Sequence, residues 1–172
     1  MNIREQLLVE HSKANALFIS NYIGNDQGKF QELVELFLGD EYRITQRAGH
    51  SLAHVFDNHP HLVDPFLSRL IRNLDNEVND AVKRNTLRIL QDKTIPENEE
   101  GILVNHCFDY LVSNKEPVAI KVFAMTVLGN ICHKFPDLKN ELKIIIKELM
   151  ETGSPGIISR GKKVLKTIEG ID

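Results

Sequence analysis

The sequence predicts an all-α protein, an α-α superhelix of about four two-helix repeats behind an N-terminal cap helix. Three observations predict it. Laid on itself with a shift of 38 residues, the chain brings Arg43–Val55 over Ala81–Lys93, and a further 38 brings it over Ala119–Ile131. Apolar and small residues then fall into columns: Ile44, Val82 and Ile120; Ala48, Thr86 and Ala124; Ser51, Ile89 and Val127; Leu52, Leu90 and Leu128. A shift of 37 extends them through Ile157, Gly161, Val164 and Leu165. Within each copy these positions run i, i+4, i+7, i+8, which is one face of an α-helix. Finally, prolines and short polar turns separate the helical stretches, at "NHPHL", "KTIPEN", "KEP", "FPDL" and "TGSPG".

Taken in order, residues 2–23 read as one amphipathic cap helix with Ile3, Leu7, Ala14, Leu17 and Phe18 inward. The ends of a solenoid need such a modified face because they have a neighbour on one side only. Four helical pairs follow, over about 26–57, 60–93, 96–134 and 137–170, in a single domain spanning 1–172. The first helix of each pair carries its own apolar triplet. These are Phe30, Val34 and Leu38; Phe66, Leu70 and Leu74; Val104, Phe108 and Val112; and Leu142, Ile146 and Met150. The column of small residues in the second helices has a mechanical reason, since a side chain no larger than Thr lets neighbouring helices approach closely.

Composition bounds the function. The chain is 42% hydrophobic and 26% charged, and its 6% aromatic content, with no Trp, leaves Leu, Ile and Val to form the core. A formal net charge of -3 argues against a dedicated nucleic-acid binder, which must neutralise many phosphates. Charge is unevenly placed: residues 1–100 carry 11 Lys and Arg against 16 Asp and Glu, and residues 101–172 carry 10 against 8. Cys107 and Cys132 have no CxxC spacing and fall in or beside apolar stripes, which predicts buried thiols in a reducing compartment. The opening "MNIREQLLVEHSK" has charges where a signal peptide needs an apolar run, and no stretch approaches the roughly 18 apolar residues of a membrane span. A cytoplasmic setting away from membranes is expected.

The second helices resemble the HEAT repeat. "VAIKVFAMTVLGNI" has an apolar-basic pair at Ile120 and Lys121, the small residue at Ala124 and a Leu-Gly at Leu128 and Gly129, and "AVKRNTLRIL" repeats the pair as Val82 and Lys83. A period near 38 also suits HEAT or armadillo units better than tetratricopeptide units of about 34. The resemblance covers about residues 26–170; the first unit departs from it with Thr45 where the basic residue belongs, and the fourth has Ser159 or Arg160 there. It implies a right-handed solenoid whose second helices line the concave side, and a non-catalytic scaffold or adaptor that binds a partner protein or peptide.

At 100° per residue Arg43, Arg47, His50 and His54 form one polar stripe on the second helix of the first unit. The same positions in later units are Asn85 and Arg88, then Phe123 and Thr126, then Arg160 and Lys163, with Arg84 flanking the surface. A row of cationic and hydrogen-bonding groups around an aromatic side chain suits an acidic or phosphorylated segment, because the guanidinium fork pairs bidentately with carboxylate or phosphate. The competing account is a solvated helix face on which Arg84 pairs with Asp80 and Arg88 with Asp92.

His50, His54, His59 and His61 lie within twelve residues, and His50 and His54 have the i, i+4 spacing of a helical chelate. "HSLAH" lacks the intervening Glu of the helical zinc protease motif, and the adjacent arginines would repel a cation. No metal and no cofactor is expected. A HEAT-like alkylpurine DNA glycosylase would be expected to show a strongly basic concavity with Trp, which the chain lacks. A metal-dependent HEAT enzyme resembling deoxyhypusine hydroxylase would show His-Glu ligand pairs, and no His-Glu dipeptide occurs. With no Gly-rich phosphate loop and no paired nucleophile and base, no enzymatic activity is expected.

Overall fold

A computed structural model describes residues 1–171. Among them the secondary structure is entirely helical, with ten α-helices and four short 3-10 turns. The helices are α1 (Ile3–Val9), α2 (Lys13–Ile23), α3 (Gln27–Phe37), α4 (Tyr42–Asn58), α5 (Leu67–Arg72), α6 (Asp80–Leu90), α7 (Glu100–Val112), α8 (Val118–Ile131), α9 (Lys139–Glu151) and α10 (Pro155–Glu169). The chain forms two compact units, Met1–Ile89 and from Leu90 onward.

In the first unit, side-chain caps set where helices begin. Asn2 accepts from the Glu5 amide, Ser12 from the Asn15 amide and Asp26 from the Lys29 amide, each at 3.0 Å, satisfying donors that a helix N-terminus leaves unpaired. Gly24, at φ 51°, ends α2 in a conformation that side chains with a Cβ resist. The segment 2–23 is therefore two helices rather than the single cap helix expected. Asn15 donates to the carbonyls of Gln6 at 2.9 Å and Glu10 at 3.0 Å, so one side chain closes α1 while Ser12 opens α2. Restarting the helix resets its register. Ile3 and Leu7 are buried as expected, but α2 buries Ala16, Ile19, Ser20 and Ile23, and it leaves Ala14, Leu17 and Phe18 exposed.

α4 packs against α2 and α3. The first helix of the next pair is interrupted: Pro60–Phe66 is 3-10 and only Leu67–Arg72 is α-helical. Pro60 and Pro65 cannot donate to an α-helical ladder, and the tighter turn accommodates them. Phe66, Leu70 and Leu74 are nonetheless buried.

In the second unit α8 packs against α7 and α10, and α9 against α10. The apolar triplet expected on α7 is rotated by one residue. Leu103, Cys107, Tyr110 and Leu111 are buried, Val104 and Phe108 are half-buried, and Val112 is 62% exposed. α7 carries two apolar stripes of equal periodicity, and the exposed Asn105 and Asp109 stand opposite the one that is buried. The second-helix columns are buried throughout, with Ala48, Thr86 and Ala124 at 0% exposure. Gly161 is also buried, although Leu165 is only half-buried.

Lys121 gives the basic position of the motif a physical role. Its ammonium donates to the Leu111 carbonyl at 3.0 Å, near the C-terminus of α7 where acceptors are unpaired and the helix dipole is negative. Desolvation holds its pKa below the ordinary value, against the opposing charge of Glu116. In the first unit Thr45 takes the equivalent place by a different route. It is buried and accepts from Asn79 at 2.8 Å, while the Asn79 side chain accepts from the amides of Ala81 and Val82 at 3.0 and 3.2 Å. The start of α6 is thereby tied to α4.

Candidate binding face

The first unit contributes Arg43, Arg47, His50 and His54 from α4, and Arg84 and Arg88 from α6. Two of these cations are engaged by the protein itself. Arg47 donates to the Leu7 carbonyl at 2.7 Å, closing the C-terminus of α1. Arg88 reaches back to α4, where it meets both Asp57 oxygens at 2.8 and 3.0 Å and the Ala53 carbonyl at 3.5 Å. Its carboxylate partner is thus one repeat away rather than Asp92 on the following turn. Asn85, expected on the polar stripe, is buried and donates to the Ala81 carbonyl at 2.8 Å. A Cβ on Gly49 would meet its Nδ2 at 2.6 Å, so the glycine makes room for this amide between α4 and α6.

Arg43 and Arg84 are exposed, and neither makes a hydrogen bond or ion pair with another described residue. His50 is half-buried between further basic groups. Its ring centroid lies 5.2 Å from that of His54 and 6.1 Å, edge-on, from that of His11. Desolvation first, then the charges of His54, His11, Arg84 and Lys13, hold its pKa below the ordinary histidine value. The His54 Nε2 is buried without a hydrogen-bond partner among the described residues.

His11 and Lys13 are the members of this cluster that the sequence pattern did not supply. The apolar periodicity that defined the cap helix registers neither of them; in the structure His11, in the connector before Ser12, lies beside His50. The signal was local, since a Ser three residues before Asn15 is an N-cap pattern. His59 and His61 pair with each other at 6.4 Å in the 3-10 turn after α4.

The second unit carries Phe123, Arg160 and Lys163. Phe123 is half-buried on α8, and Lys163 is exposed on α10. Arg160 donates to the Thr126 hydroxyl and to Gln91 Oε1 at 3.3 Å, and Asn130 donates to the Gln91 carbonyl at 2.7 Å. Thr126, Asn130, Arg160, Lys163 and Thr167 line a pocket there, together with Gly129 and Val164.

Among the described residues, His, Cys, Asp and Glu side chains form no group of three placed to hold a metal ion, and no helix is long and apolar enough to cross a membrane. No curated protein and no solved structure matches the chain. The HEAT repeat domain family matches residues 3–168. That span takes in all of α1–α9 and nearly all of α10, including the buried small-residue column and the helix-capping Lys121. The chain belongs to the HEAT repeat domain family.

Proposed function

We propose that this protein is a non-catalytic interaction scaffold that binds an acidic or phosphorylated segment of a partner protein on its second-helix face, in the cytoplasm and without a cofactor. One observation carries the reading: in the first unit the His50 ring lies 5.2 Å from His54 and 6.1 Å from His11, and the largest charges acting on it, those of His54, His11, Arg84 and Lys13, are all basic groups, drawn from α2, α4, α6 and the α1–α2 connector. Positive charges gathered on one surface add their fields and attract an anionic ligand.

Within that face the roles divide. Arg43 and Arg84 are free to form bidentate pairs with the ligand, and His50 and His54 supply imidazoles between them. Arg47 and Arg88 are held by Leu7 and Asp57, and they add positive potential while keeping the helices in place. In the second unit Phe123, Arg160 and Lys163 offer a smaller set of the same chemistry.

The test is a charge reversal at the two exposed arginines. Binding of a fluorescent Glu-rich peptide is followed by anisotropy, with a neutral peptide and a DNA duplex as controls. Arg43→Glu with Arg84→Glu should weaken peptide binding by about tenfold or more, a loss of ~1.4 kcal/mol, and leave the unfolding midpoint nearly unchanged. Affinity for the parent should fall as salt is raised, as screening of an exposed charged face requires. A double variant that binds as tightly as the parent, with no salt dependence, would refute the proposal.

A further inference from the structure

We infer that His11, Lys13, His50, His54 and Arg84 form one anion site in the first unit, which takes the phosphate monoester of a phosphorylated partner residue and takes it more tightly as its imidazoles protonate. The inference rests on the scaffold reading above and specifies the ligand of that face.

The five groups come from separate parts of the chain. His11 lies in the connector between α1 and α2, Lys13 is the first residue of α2, His50 and His54 stand on successive turns of α4, and Arg84 is on α6. The α1–α2 break brings His11 edge-on to His50, at 82° between ring planes, and the helical spacing puts the His54 ring 5.2 Å from it, tilted by 37°. A neutral imidazole has one donor and one acceptor, whereas a protonated one has two donors. Protonation therefore turns three rings into donors around a guanidinium and an ammonium. Glu10, the acid nearest in sequence, accepts from the Ser12 hydroxyl. The buried Nε2 of His54, unpartnered among the described residues, is the polar atom that the fold leaves unsatisfied in this cluster.

Such a cluster is costly without an anion, because each added proton meets like charges. Burial and the charges of His54, His11, Arg84 and Lys13 all disfavour the charged form of His50. A bound dianion reverses the sign of that interaction, so anion and proton bind together. Phosphate fits better than carboxylate. A monoester presents three strong acceptor oxygens pointing in different directions, matching donors that arrive from a connector and three helices, while a carboxylate presents two in one plane. Its second ionisation, near pH 6, also overlaps the imidazole range, so both partners are charged together under mildly acidic conditions.

The full chain is titrated with phenyl phosphate, and separately with sulfate, whose charge does not change in this range, while the histidine ring resonances are followed by NMR. Saturable shifts are expected for His11, His50 and His54 but not for His133, and the pKa of His50 should rise on binding. Sulfate affinity should increase roughly tenfold between about pH 7.5 and about pH 6. His11→Gln and Arg84→Gln alter exposed side chains and should each weaken binding about tenfold. A phosphoserine peptide should bind more tightly than both phenyl phosphate and its glutamate analogue. Uniform or unsaturable shifts at every histidine, an affinity indifferent to pH, or variants that bind like the parent would overturn the site. A phosphoserine peptide no tighter than phenyl phosphate would overturn the assignment to a partner protein. If the Glu-rich peptide still binds and still loses affinity on reversal of Arg43 and Arg84, while neither anion moves the three histidines, the scaffold reading stands and this inference alone fails.

Discussion

Gly129 sits where α8 meets α10, and replacing it with Ala sets two effects of known size against each other. Helix propensity alone favours the change by ~1 kcal/mol, since Gly has the larger backbone entropy to lose. Packing opposes it. A Cβ at this position would lie 2.9 Å from Val164 Cγ1, well inside the ordinary 3.5–4.0 Å between carbons. Val164 is 5% exposed and β-branched, with one strongly preferred rotamer in a helix, so its methyl cannot swing aside without strain. Overpacking of this kind costs about 1–3 kcal/mol, and the sum is a net destabilisation of ~1 kcal/mol. Val164→Ala alone should cost ~2 kcal/mol through lost burial. In that background the clash is gone, and Gly129→Ala should regain its ~1 kcal/mol, giving a coupling of ~2 kcal/mol in the cycle. Urea unfolding of the four proteins, followed by circular dichroism, measures it. A stabilising Gly129→Ala in the parent, with no coupling to Val164, would refute the close approach of α8 and α10.

Thr86 offers the opposite case: it is fully buried and its hydroxyl has no partner among the described residues, so Thr86→Val should stabilise by ~1 kcal/mol in the same urea assay. Burial pushes the Cys107 thiol far above its ordinary value and also raises that of Cys132, the latter against the charge of Lys139. Both should resist thiol reagents in the native protein and react at once in denaturant; early labelling of Cys107 would mean that α7 opens locally. For His50 the folded-state pKa lies below the unfolded one, so the unfolded chain takes up the proton first. Its contribution to stability is present above about pH 6.5 and is lost as pH falls below that, and His50→Gln should flatten this part of the profile of urea midpoint against pH. Identical profiles for parent and variant would contradict the assignment.

The columns at Ala48, Thr86 and Ala124 were legible because helical burial repeats with the chain, and a residue pointing at a neighbouring helix in one unit does so in the next. α7 was less so. Its Val104, Phe108 and Val112 stripe and its Leu103, Cys107 and Leu111 stripe satisfy the same spacing, and matching apolar columns alone does not weigh the exposed Asn105 and Asp109 that stand opposite the second. The cap segment failed for a local reason, since Ser12 and Asn15 satisfy helix ends that periodicity does not register. On the candidate face, the stripe of Arg43, Arg47, His50 and His54 follows from the helical angle, but which cations are engaged does not. Arg47 finds its acceptor 40 residues away and Arg88 finds its carboxylate 31 residues away, separations at which local spacing carries no information.

Those long reaches bear on how freely the units could be exchanged. Arg88 needs Asp57 and the Ala53 carbonyl in α4, the second helix of the preceding copy, Arg160 needs Thr126 and Gln91, and Asn130 needs the Gln91 carbonyl. Each strap is specific to its neighbour: the place held by Arg88 is Thr126 in the next copy, and that of Arg160 is Phe123 in the one before. The repeats are thus keyed rather than modular. A chimera that reordered them would preserve every apolar column and still strand a guanidinium or an amide at each new junction, so the succession of units is written in their polar side chains.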